Sequence, residues 1–285
     1  MADLHINKKG WEFQWTPEED KIIKENYTSK GYDELEQMLP NRSKKAIQAR
    51  AFKLGVKYLS YNKDYFNKID TPAKAYWLGF LYADGYTTGS NRWGLELKYD
   101  DMPHMEKLLT ELDYNGKIRE RERNGVKSCS VQFNNSVTTN SLISLGVVNN
   151  KTTTLQFPSS DLLNELYYPD FIRGFFDGDG CVTWGYYTKP RKDRQNKVYT
   201  RLRKEVNIVC KSEKFIQSIY DILERNDIHL NWTVNHRDNL ITLRTSKIDE
   251  IVKIYNFLYK NSCNNNRLER KYDKFNSLLK AVMLN

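Results

Sequence analysis

Cysteine is scarce and scattered in this sequence, and histidine is rare. No two of the four cysteines form a Cys-x-x-Cys pair, and the four histidines show no recognisable ligand spacing. This pattern argues against a zinc site and a disulfide framework, and it predicts reduced thiols. The cysteines are Cys129, Cys181, Cys210 and Cys263.

Long apolar runs are also missing. No run approaches the roughly 18 apolar residues that a membrane-spanning helix needs. The N-terminal stretch, Met1 to His5, has no apolar region of the kind found in signal peptides. We therefore expect a protein that is not secreted, located in the cytoplasm of a bacterial or phage-infected cell or in an organellar matrix.

Acidic residues are outnumbered by basic ones. The 285 residues include 45 Lys and Arg against 36 Asp and Glu, which gives a net charge of +9 and a pI of about 9.1. Such a balance favours a polyanionic partner, although solubility alone is an alternative explanation. With 39% hydrophobic residues, the chain has room for one domain of ordinary size and a smaller second one.

Two segments share one pattern and end in Asp-Gly. They are WLGFLYADG at 77–85 and IRGFFDGDG at 172–180. Each predicts an apolar, aromatic helix with two small residues four apart. Because positions i and i+4 lie on one helix face, these small residues let two helix backbones approach closely. They are Gly79 and Ala83 in the first segment, and Gly174 and Gly178 in the second.

Each segment places an aspartate at a helix C-terminus, Asp84 in the first and Asp179 in the second. The helix macrodipole is negative there and disfavours a carboxylate by ~0.3–1 kcal/mol. If the helices pack along their small residues, the two carboxylates lie side by side. At ~4 Å and an effective dielectric near 20 they would repel by roughly 4 kcal/mol. A divalent cation would remove that repulsion, whereas the alternative is a buried helix pair followed by Asp-Gly turns.

The two segments resemble the paired signature helices of LAGLIDADG homing endonucleases, in the single-chain form that carries two motifs. Their aspartates are 95 residues apart, which suits one compact α/β half between them. The resemblance implies a pseudo-twofold α+β fold of two αββαββα repeats whose sheets form a saddle over DNA. It also implies Mg²⁺-dependent hydrolysis of both strands, with Mn²⁺ as a substitute, and metal ligation by Asp84 and Asp179.

Other groups follow from the same resemblance. The backbone carbonyls of Ala83 and Gly178 are candidate metal ligands, since carbonyls at a helix end lack intrahelical partners. The family often has glutamine ahead of a later helix cap, and this sequence has Tyr99 and Cys210 at those positions. Asp177 is interpreted as a structural residue that forms hydrogen bonds rather than as a ligand.

The family also keeps one basic residue near the end of each half, where it polarises the solvent around the scissile phosphate. Lys151 fits that position in the first half. In the second half Arg267, Arg270 and Lys271 compete, and Lys271 is favoured. Lys151 and Lys271 therefore complete the predicted catalytic set with the two aspartates.

Residues 1–58 are predicted to form a separate helical domain, joined by a linker over 59–71. Thr16-Pro17-Glu18-Glu19 is a capping box with proline at the first helical position, and it predicts a helix over 17–27. A second helix is predicted over 32–39, and a third runs from the cap Ser43 through Leu54.

This N-terminal pattern resembles a Myb/SANT-type helix-turn-helix domain. The resemblance rests on Trp15-Thr16-Pro17-Glu18-Glu19-Asp20, Asn41-Arg42-Ser43 and Leu54-Gly55-Val56. It implies that the third helix, which carries no acidic residue, reads a DNA major groove, while protein binding is the alternative. The candidate contacts are Lys44, Lys45, Gln48, Arg50 and Lys53.

The larger domain, 72–285, repeats one order of elements after each motif, which predicts repeats over about 72–160 and 161–285. Asp101 and Ser212 are predicted to cap corresponding helices, over 103–113 and 213–226. Candidate DNA contacts of the first repeat are Arg92, Lys98, Arg119 and Arg121. Those of the second repeat are Lys189, Arg191, Lys192, Arg194, Arg201 and Arg203.

These observations predict a site-specific double-strand DNA endonuclease of the homing type. It would act as a monomer on double-stranded DNA with a long asymmetric target. The alternative is a protein of the same fold that does not cut, either an RNA-splicing maturase or a DNA-binding regulator. The presence of Asp84, Asp179 and Lys151 favours the nuclease.

Overall fold

The computed structural model describes residues 14–27, 32–56, 60–149, 153–190 and 198–283. These residues fall into two compact units. The first holds the described residues up to Asn62 together with Asp113–Lys117, and the second holds the remainder. In the described ranges, no helix has the length and apolar character needed to cross a membrane.

The first unit contains three helices. They are α1 (Pro17–Asn26), α2 (Tyr32–Met38) and α3 (Lys44–Lys53). The predicted capping box is confirmed, because Thr16 Oγ1 accepts from the Glu19 N–H at 3.2 Å and Glu19 accepts from the Thr16 N–H at 2.9 Å. Ser43 caps α3 by accepting from the Ala46 N–H. The buried core of this unit comprises Ile23, Tyr27, Leu35, Leu39, Ile47 and Ala51.

The second unit contains two repeats with one order of helices and strands. The first repeat consists of α4 (Pro72–Ala83), β1 (Gly85–Thr88), β2 (Arg92–Lys98), α5 (Met102–Glu111), β3 (Arg119–Arg123), β4 (Val126–Asn134) and α6 (Ser136–Ser144). The second consists of α7 (Tyr168–Asp179), β5 (Gly180–Pro190), β6 (Val198–Cys210), α8 (Glu213–Arg225), β7 (Asn231–Asn235), β8 (Leu240–Thr245) and α9 (Ile248–Tyr259), followed by α10 (Glu269–Met283). Single 3₁₀ turns lie at Tyr99–Asp101, Glu165–Tyr167 and Asn264–Asn266.

Each repeat forms a four-stranded antiparallel sheet. The strand orders are β1-β2-β4-β3 and β5-β6-β8-β7, so the two sheets have the same topology. Alternate side chains of the central strands are buried, as in β2, where Trp93 and Leu95 face the core, whereas all residues of the edge strand β3 are exposed. The predicted αββαββα repeats are therefore confirmed, with α10 as an addition to the second.

The two motif helices, α4 and α7, pack against each other along their small residues. A Cβ added at Gly79 would overlap the carbonyl oxygen of Phe171, and one at Gly174 would overlap that of Tyr76. Such close approach is possible only because these positions lack a side chain. The packing expected from the residue spacing is confirmed.

Part of the predicted linker packs into the second unit. Within 59–71, residues from 63 onward belong to that unit, and Tyr65, Phe66 and Ile69 are buried. The Phe66 ring meets the Trp93 ring edge to face at 6.0 Å. The predicted linker therefore contributes buried side chains to the second unit, and one of them, Phe66, packs on the first sheet.

The two predicted helix caps bind elsewhere. Asp101 and Ser212 occupy the N-cap positions of α5 and α8, but neither side chain bonds to its own helix. Asp101 instead accepts from Arg270 Nε at 2.6 Å and Nη2 at 2.7 Å, and Ser212 donates to the Leu155 carbonyl at 2.5 Å. Each cap residue therefore joins its helix to a segment of the other repeat, which the local sequence gave no means of predicting.

Candidate active site

The ends of α4 and α7 bring Asp84 and Asp179 to one edge of the helix pair. Asp84 is the C-cap residue of α4 and Asp179 is the last residue of α7, and both are exposed. A Cβ added at Gly178 would overlap the Ala83 methyl group and lie 3.1 Å from Asp84 Oδ2. The Asp84 carboxylate therefore lies against the peptide that carries Asp179.

Lys271 is buried beneath this edge. Its side chain is 7% exposed, and its ammonium group donates to the carbonyls of Phe176 at 2.7 Å, Gly178 at 3.0 Å and Gly180 at 2.6 Å. These three contacts use all three N–H donors of a lysine. They also satisfy carbonyls that a helix C-terminus leaves without intrahelical partners. Burial lowers the pKa of Lys271 to about 8, against the attraction of the surrounding carboxylates.

Asp177 is the centre of a buried hydrogen-bond network. Its carboxylate accepts from Tyr76 at 2.8 Å, from Tyr259 at 2.6 Å and from the Leu268 N–H at 2.7 Å. Burial raises the pKa of this carboxyl group. Asp177 thus links α7 to α4, to α9 and to the segment before α10, which agrees with a structural role.

Tyr82 occupies the corresponding position in the first repeat, two residues before Asp84. Its hydroxyl donates to the carbonyl of Leu145, at the end of α6. Gly146 follows with φ +98°, and a Cβ there would overlap the Tyr82 hydroxyl. This neutral hydrogen bond ties the first motif helix to its own repeat, as does the buried contact of the Tyr76 hydroxyl with His104 Nε2 of α5 at 3.0 Å.

Two arginines shortly before Lys271 in the sequence differ in the exposure of their side chains. The Arg267 guanidinium stacks over the Tyr272 ring at 3.6 Å and bonds to Glu269, and its side chain is 15% exposed. Arg270 is 52% exposed and makes the paired hydrogen bonds to Asp101. Those bonds raise the pKa of Arg270, and the Asp84 carboxylate contributes in the same direction.

The remaining predicted groups near the edge are partly outside the described residues. Lys151 lies outside them. Tyr99 is half-buried, with the Lys127 ammonium group 5.8 Å from its ring. Cys210 is buried, its Sγ accepts from the Ser212 N–H at 3.4 Å, and burial raises the pKa of its thiol.

The donor set at this edge suits a hard cation. Among the described residues, no three His, Cys, Asp or Glu side chains are grouped to hold a metal ion. Asp84 and Asp179 supply two carboxylates, and the Ala83 carbonyl supplies a further oxygen atom. The Gly178 carbonyl, predicted as another ligand, already accepts from the Lys271 ammonium group at 3.0 Å. Mg²⁺ is commonly bound by one or two carboxylates, with water and substrate phosphate completing its octahedron. The residues present fit that pattern.

The sheet register sorts the charges of strand β3. Arg119 pairs with Ser130 of β4, whereas Glu120 pairs with the buried Cys129. Because successive side chains of a strand point to opposite faces, Arg121 lies on the face of Arg119. The alternating charges of β3 are thus separated by the pleat, with the basic residues on one face of the strand and the acidic residues on the other.

The basic residues of β2 lie on that same face. Lys98 and Arg121 both pair with Ser128 of β4, so the three residues form one row across the sheet. Arg92 pairs with Asn134, three pleats further along the same face. The first basic face is therefore formed by Arg92, Lys98, Arg119 and Arg121, all of them exposed, and it also carries the exposed Glu96, which pairs with Ser130 as Arg119 does.

The second sheet has a similar face. Arg201 pairs with Tyr187 and Arg203 with Gly185, and both arginines are exposed. The core side of the same strand begins with the buried Val206, so the arginines lie on the opposite face. Lys189 belongs to β5, and its side chain lies outside the described residues, as do Arg191, Lys192 and Arg194.

In the first unit, the predicted contacts of α3 separate into two groups. Arg50 makes a paired ion contact to Asp20, with Nε–Oδ1 at 2.7 Å and Nη2–Oδ2 at 2.6 Å. Its hydrogen bonds hold the pKa of Asp20 below its usual value. Phe52, which the sequence reading did not single out, is 86% exposed. The exposed polar candidates are Lys44, Lys45, Gln48 and Lys53.

The second repeat matches the model of a known protein family. Residues 172–282 match the family model described as LAGLIDADG endonuclease. This range begins in α7 and ends in α10, so it includes Asp179 and Lys271. No curated protein sequence matches the chain.

Solved structures with the same fold are LAGLIDADG enzymes. The I-LtrWI LAGLIDADG homing endonuclease bound to target DNA aligns with 79% of this chain and 92% of its own, with a TM-score of 0.52 and 14% identity. The LAGLIDADG meganuclease I-AabMI bound to uncleaved DNA aligns with 75% of this chain and 92% of its own, with a TM-score of 0.52 and 13% identity. The LAGLIDADG meganuclease I-CpaMI, also bound to uncleaved DNA, aligns with 75% of this chain and 92% of its own, with a TM-score of 0.50 and 13% identity. At these identities the likeness establishes the fold.

Proposed function

We propose that this chain, which has the fold of LAGLIDADG homing endonucleases, is a site-specific endonuclease that cuts both strands of duplex DNA. The observation that carries the proposal is the meeting of the α4 and α7 ends, where Asp84 lies against the peptide bearing Asp179. Paired carboxylates on an exposed edge, in a unit whose two sheets each carry exposed arginines, suit a metal-assisted attack on phosphodiester bonds.

Asp84 and Asp179 would hold Mg²⁺, with the Ala83 carbonyl as a further ligand, while the Gly178 carbonyl stays bonded to Lys271. When bound, the metal supplies a Lewis acid and a water of lowered pKa. The protein's own part is to hold these oxygens rigidly on helices, since a preorganised site needs no rearrangement when charge develops on the phosphate. Lys151 is proposed as the basic residue of the first half.

The two basic faces would bind the DNA backbone. Arginine side chains contact phosphates and also form paired hydrogen bonds to guanine, the commonest specific contact. The similar positions of the two faces on sheets of one topology suit a duplex, whose backbones are related by a twofold axis. A long asymmetric target is expected because the two faces differ in sequence.

The first unit would act as a second, tethered DNA-binding module. Its helix α3 presents lysines and Gln48 to solvent and carries no acidic residue. A tethered module raises the effective concentration of DNA at the nuclease unit. The Myb/SANT-type resemblance and this DNA-binding role stay predictions.

A cleavage assay on a selected target tests the nuclease. The wild-type chain would be incubated with a randomised duplex library in Ca²⁺, and the bound duplexes isolated and then exposed to Mg²⁺ or to chelator. We expect both strands to be cut only with Mg²⁺. Asp84→Asn and Asp179→Asn should each lower the cleavage rate by at least about 10³-fold, with binding affinity changed only a few-fold.

The matched control is Asp273→Asn, which removes an exposed carboxylate from α10. Its cleavage rate should equal that of the wild-type chain. Full cleavage by either Asp84→Asn or Asp179→Asn would refute the metal assignment. A wild-type chain that binds its selected duplex tightly but leaves it intact in Mg²⁺ would identify a DNA-binding regulator, and selective binding of structured RNA would identify a maturase.

The role of α3 is tested by salt dependence. Lys45→Ala and Lys53→Ala should each lower the slope of log affinity against log salt by ~0.9, the value for one lost phosphate contact. Lys21→Ala, an exposed lysine of α1, is the control. An unchanged slope for both α3 variants would indicate that this unit binds protein.

A further inference from the structure

The cation of the second half can be assigned from the geometry around Lys271, an assignment that rests on the function proposed above. The sequence favoured Lys271 over Arg267 and Arg270. In the structure the three side chains begin within five residues but have different surroundings. Only the described residues enter this comparison.

Lys271 has no donor left for a substrate. Its three N–H groups point at the carbonyls of Phe176, Gly178 and Gly180, and the side chain is buried. To reach a phosphate, the ammonium group would have to abandon carbonyls that have lost their water. Leaving each of these buried acceptors unpaired is unfavourable. The arrangement instead holds in place the peptides on both sides of Asp179.

Arg267 is also occupied. Its guanidinium lies flat on the Tyr272 ring at 3.6 Å, and it bonds to Glu269 and to Asn264 Oδ1. Only 15% of the side chain is exposed. A cation stacked and bonded in this way has little freedom to follow a substrate.

Arg270 has donors to spare and is held rigidly. A guanidinium has five N–H donors, and Asp101 takes one on Nε and one on Nη2. The group is half exposed, and the residue next to it, Lys271, binds the carbonyls of Gly178 and Gly180 on either side of Asp179. Asp101 belongs to the first repeat and Arg270 to the second, so the first repeat orients a cation supplied by its partner repeat.

We propose that Arg270 contacts the phosphate of one of the two DNA strands, and that Lys271 is a positioning residue for the peptide that carries Asp179. The guanidinium N–H groups of Arg270 that Asp101 does not use can form the paired hydrogen bonds with which arginine binds phosphate oxygens. Different cationic groups would then assist cleavage of the two DNA strands. Removing Arg270 should therefore slow the cleavage of one strand more than that of the other.

Strand-resolved cleavage tests the role of Arg270. The duplex selected by the wild-type chain would carry a different label on each strand, and single-turnover rates in Mg²⁺ would be measured for Arg270→Met. We expect one strand to be cut about 100-fold more slowly, the scale for losing one preorganised donor, and the other within about threefold of wild type. Equal slowing of both strands, or no slowing, would overturn the assignment.

Two further variants sharpen this test. Lys274→Met removes an exposed charge one turn along α10 and should leave both rates unchanged. Asp101→Asn keeps Arg270 but loosens its orientation, so the same strand should slow by about tenfold or more. Slowing of the other strand by Asp101→Asn would contradict the cross-repeat arrangement.

The positioning role of Lys271 is tested without cleavage. The Ca²⁺ concentration that half-saturates DNA binding would be measured for Lys271→Met and for the milder Lys271→Gln, which keeps two N–H donors. We expect an increase of about 10–100-fold, as for other groups that orient metal ligands. Arg270→Met should stay within about twofold. A folded Lys271→Gln that cuts slowly at an unchanged Ca²⁺ requirement would show that Lys271 acts on the substrate instead.

These outcomes separate the inference from the proposed function. If the wild-type chain does not cut its selected duplex in Mg²⁺, the nuclease proposal fails and the Arg270 assignment fails with it. If the wild-type chain cuts and Arg270→Met slows both strands alike, only the inference fails. The Ca²⁺ titrations decide the role of Lys271 in either case.

Discussion

The two repeats of the second unit share one topology but fix their motif helices differently. In the first repeat, Tyr82 makes one neutral hydrogen bond to Leu145. In the second, Asp177 accepts three hydrogen bonds from three different segments, and Lys271 binds the carbonyls that follow. The first repeat has a second neutral contact, between the Tyr76 hydroxyl and His104 Nε2 at 3.0 Å. The sheet topology and helix contact are therefore common to both halves, whereas the Asp177 and Lys271 anchors belong to the second.

The difference extends to the middle of the helices. Arg173 is 1% exposed and bonds to Asp170 and to the carbonyls of Leu258 and Asn266, whereas the corresponding residue of α4 is Leu78. The α7 helix thus depends on the polar segments around α9, while α4 is held mainly by apolar packing. We conclude that the placement of Asp179 depends on distant parts of its repeat more than that of Asp84 does.

The largest expected effect tests what the repeats share. Gly79→Ala and Gly174→Ala each place a methyl group on a backbone carbonyl oxygen of the opposite helix. We expect each to lower the free energy of unfolding by more than about 3 kcal/mol, because backbone cannot move aside as a side chain can. Urea denaturation would measure the loss. Gly185→Ala, where an added Cβ meets nothing within 4 Å, should be neutral.

The next effect tests where the repeats differ. Asp177→Ala removes the acceptor of two tyrosine hydroxyls and one backbone N–H, all buried, and should destabilise the protein by about 2–4 kcal/mol. Tyr82→Phe leaves only the Leu145 carbonyl without its donor and should cost about 1 kcal/mol. Equal losses in thermal and urea unfolding would mean that the two anchors are equivalent after all.

The smallest effect is a pH dependence confined to the second repeat. Burial raises the pKa of Asp177 in the folded state above its value of about 3.9 in an unfolded chain. The folded state then keeps the proton to higher pH, so this contribution to stability is complete below about pH 4 and is lost as pH rises through the raised pKa.

Asp177→Asn removes the titrating group and keeps an acceptor in its place. Its free energy of unfolding should rise relative to that of the wild-type chain as the pH increases above about 4. Tyr82→Phe, which carries no group titrating in this range, should run parallel to the wild type. A constant difference between Asp177→Asn and wild type across this range would show that the carboxyl group is not perturbed by folding.

Local signals in the sequence predicted much of this fold. The capping box at Thr16, the cap at Ser43 and the small residues of the two motifs each act within one or two helical turns. Their geometry is fixed by nearby residues, so the sequence pattern carries the information directly. The edge formed by Asp84 and the peptide of Asp179 followed from the same spacing.

Partners far apart in the chain were harder to predict. Asp101 reads as a helix cap, yet Arg270, 169 residues away, takes both of its carboxylate oxygens. Arg50 reads as a DNA contact, yet it pairs with Asp20 across the first unit. In both cases a charged group has several chemically equivalent partners, and only the fold decides which one is near.

The contact between Ala83 and Gly178 limits how this architecture can be rearranged. A methyl group fits on one helix only because its neighbour has a bare backbone there. Joining two copies of the N-terminal half would bring methyl against methyl and force the helices apart, while two C-terminal halves would leave a gap. A symmetric protein built from two N-terminal halves would therefore need an alanine-to-glycine exchange at this position in one copy.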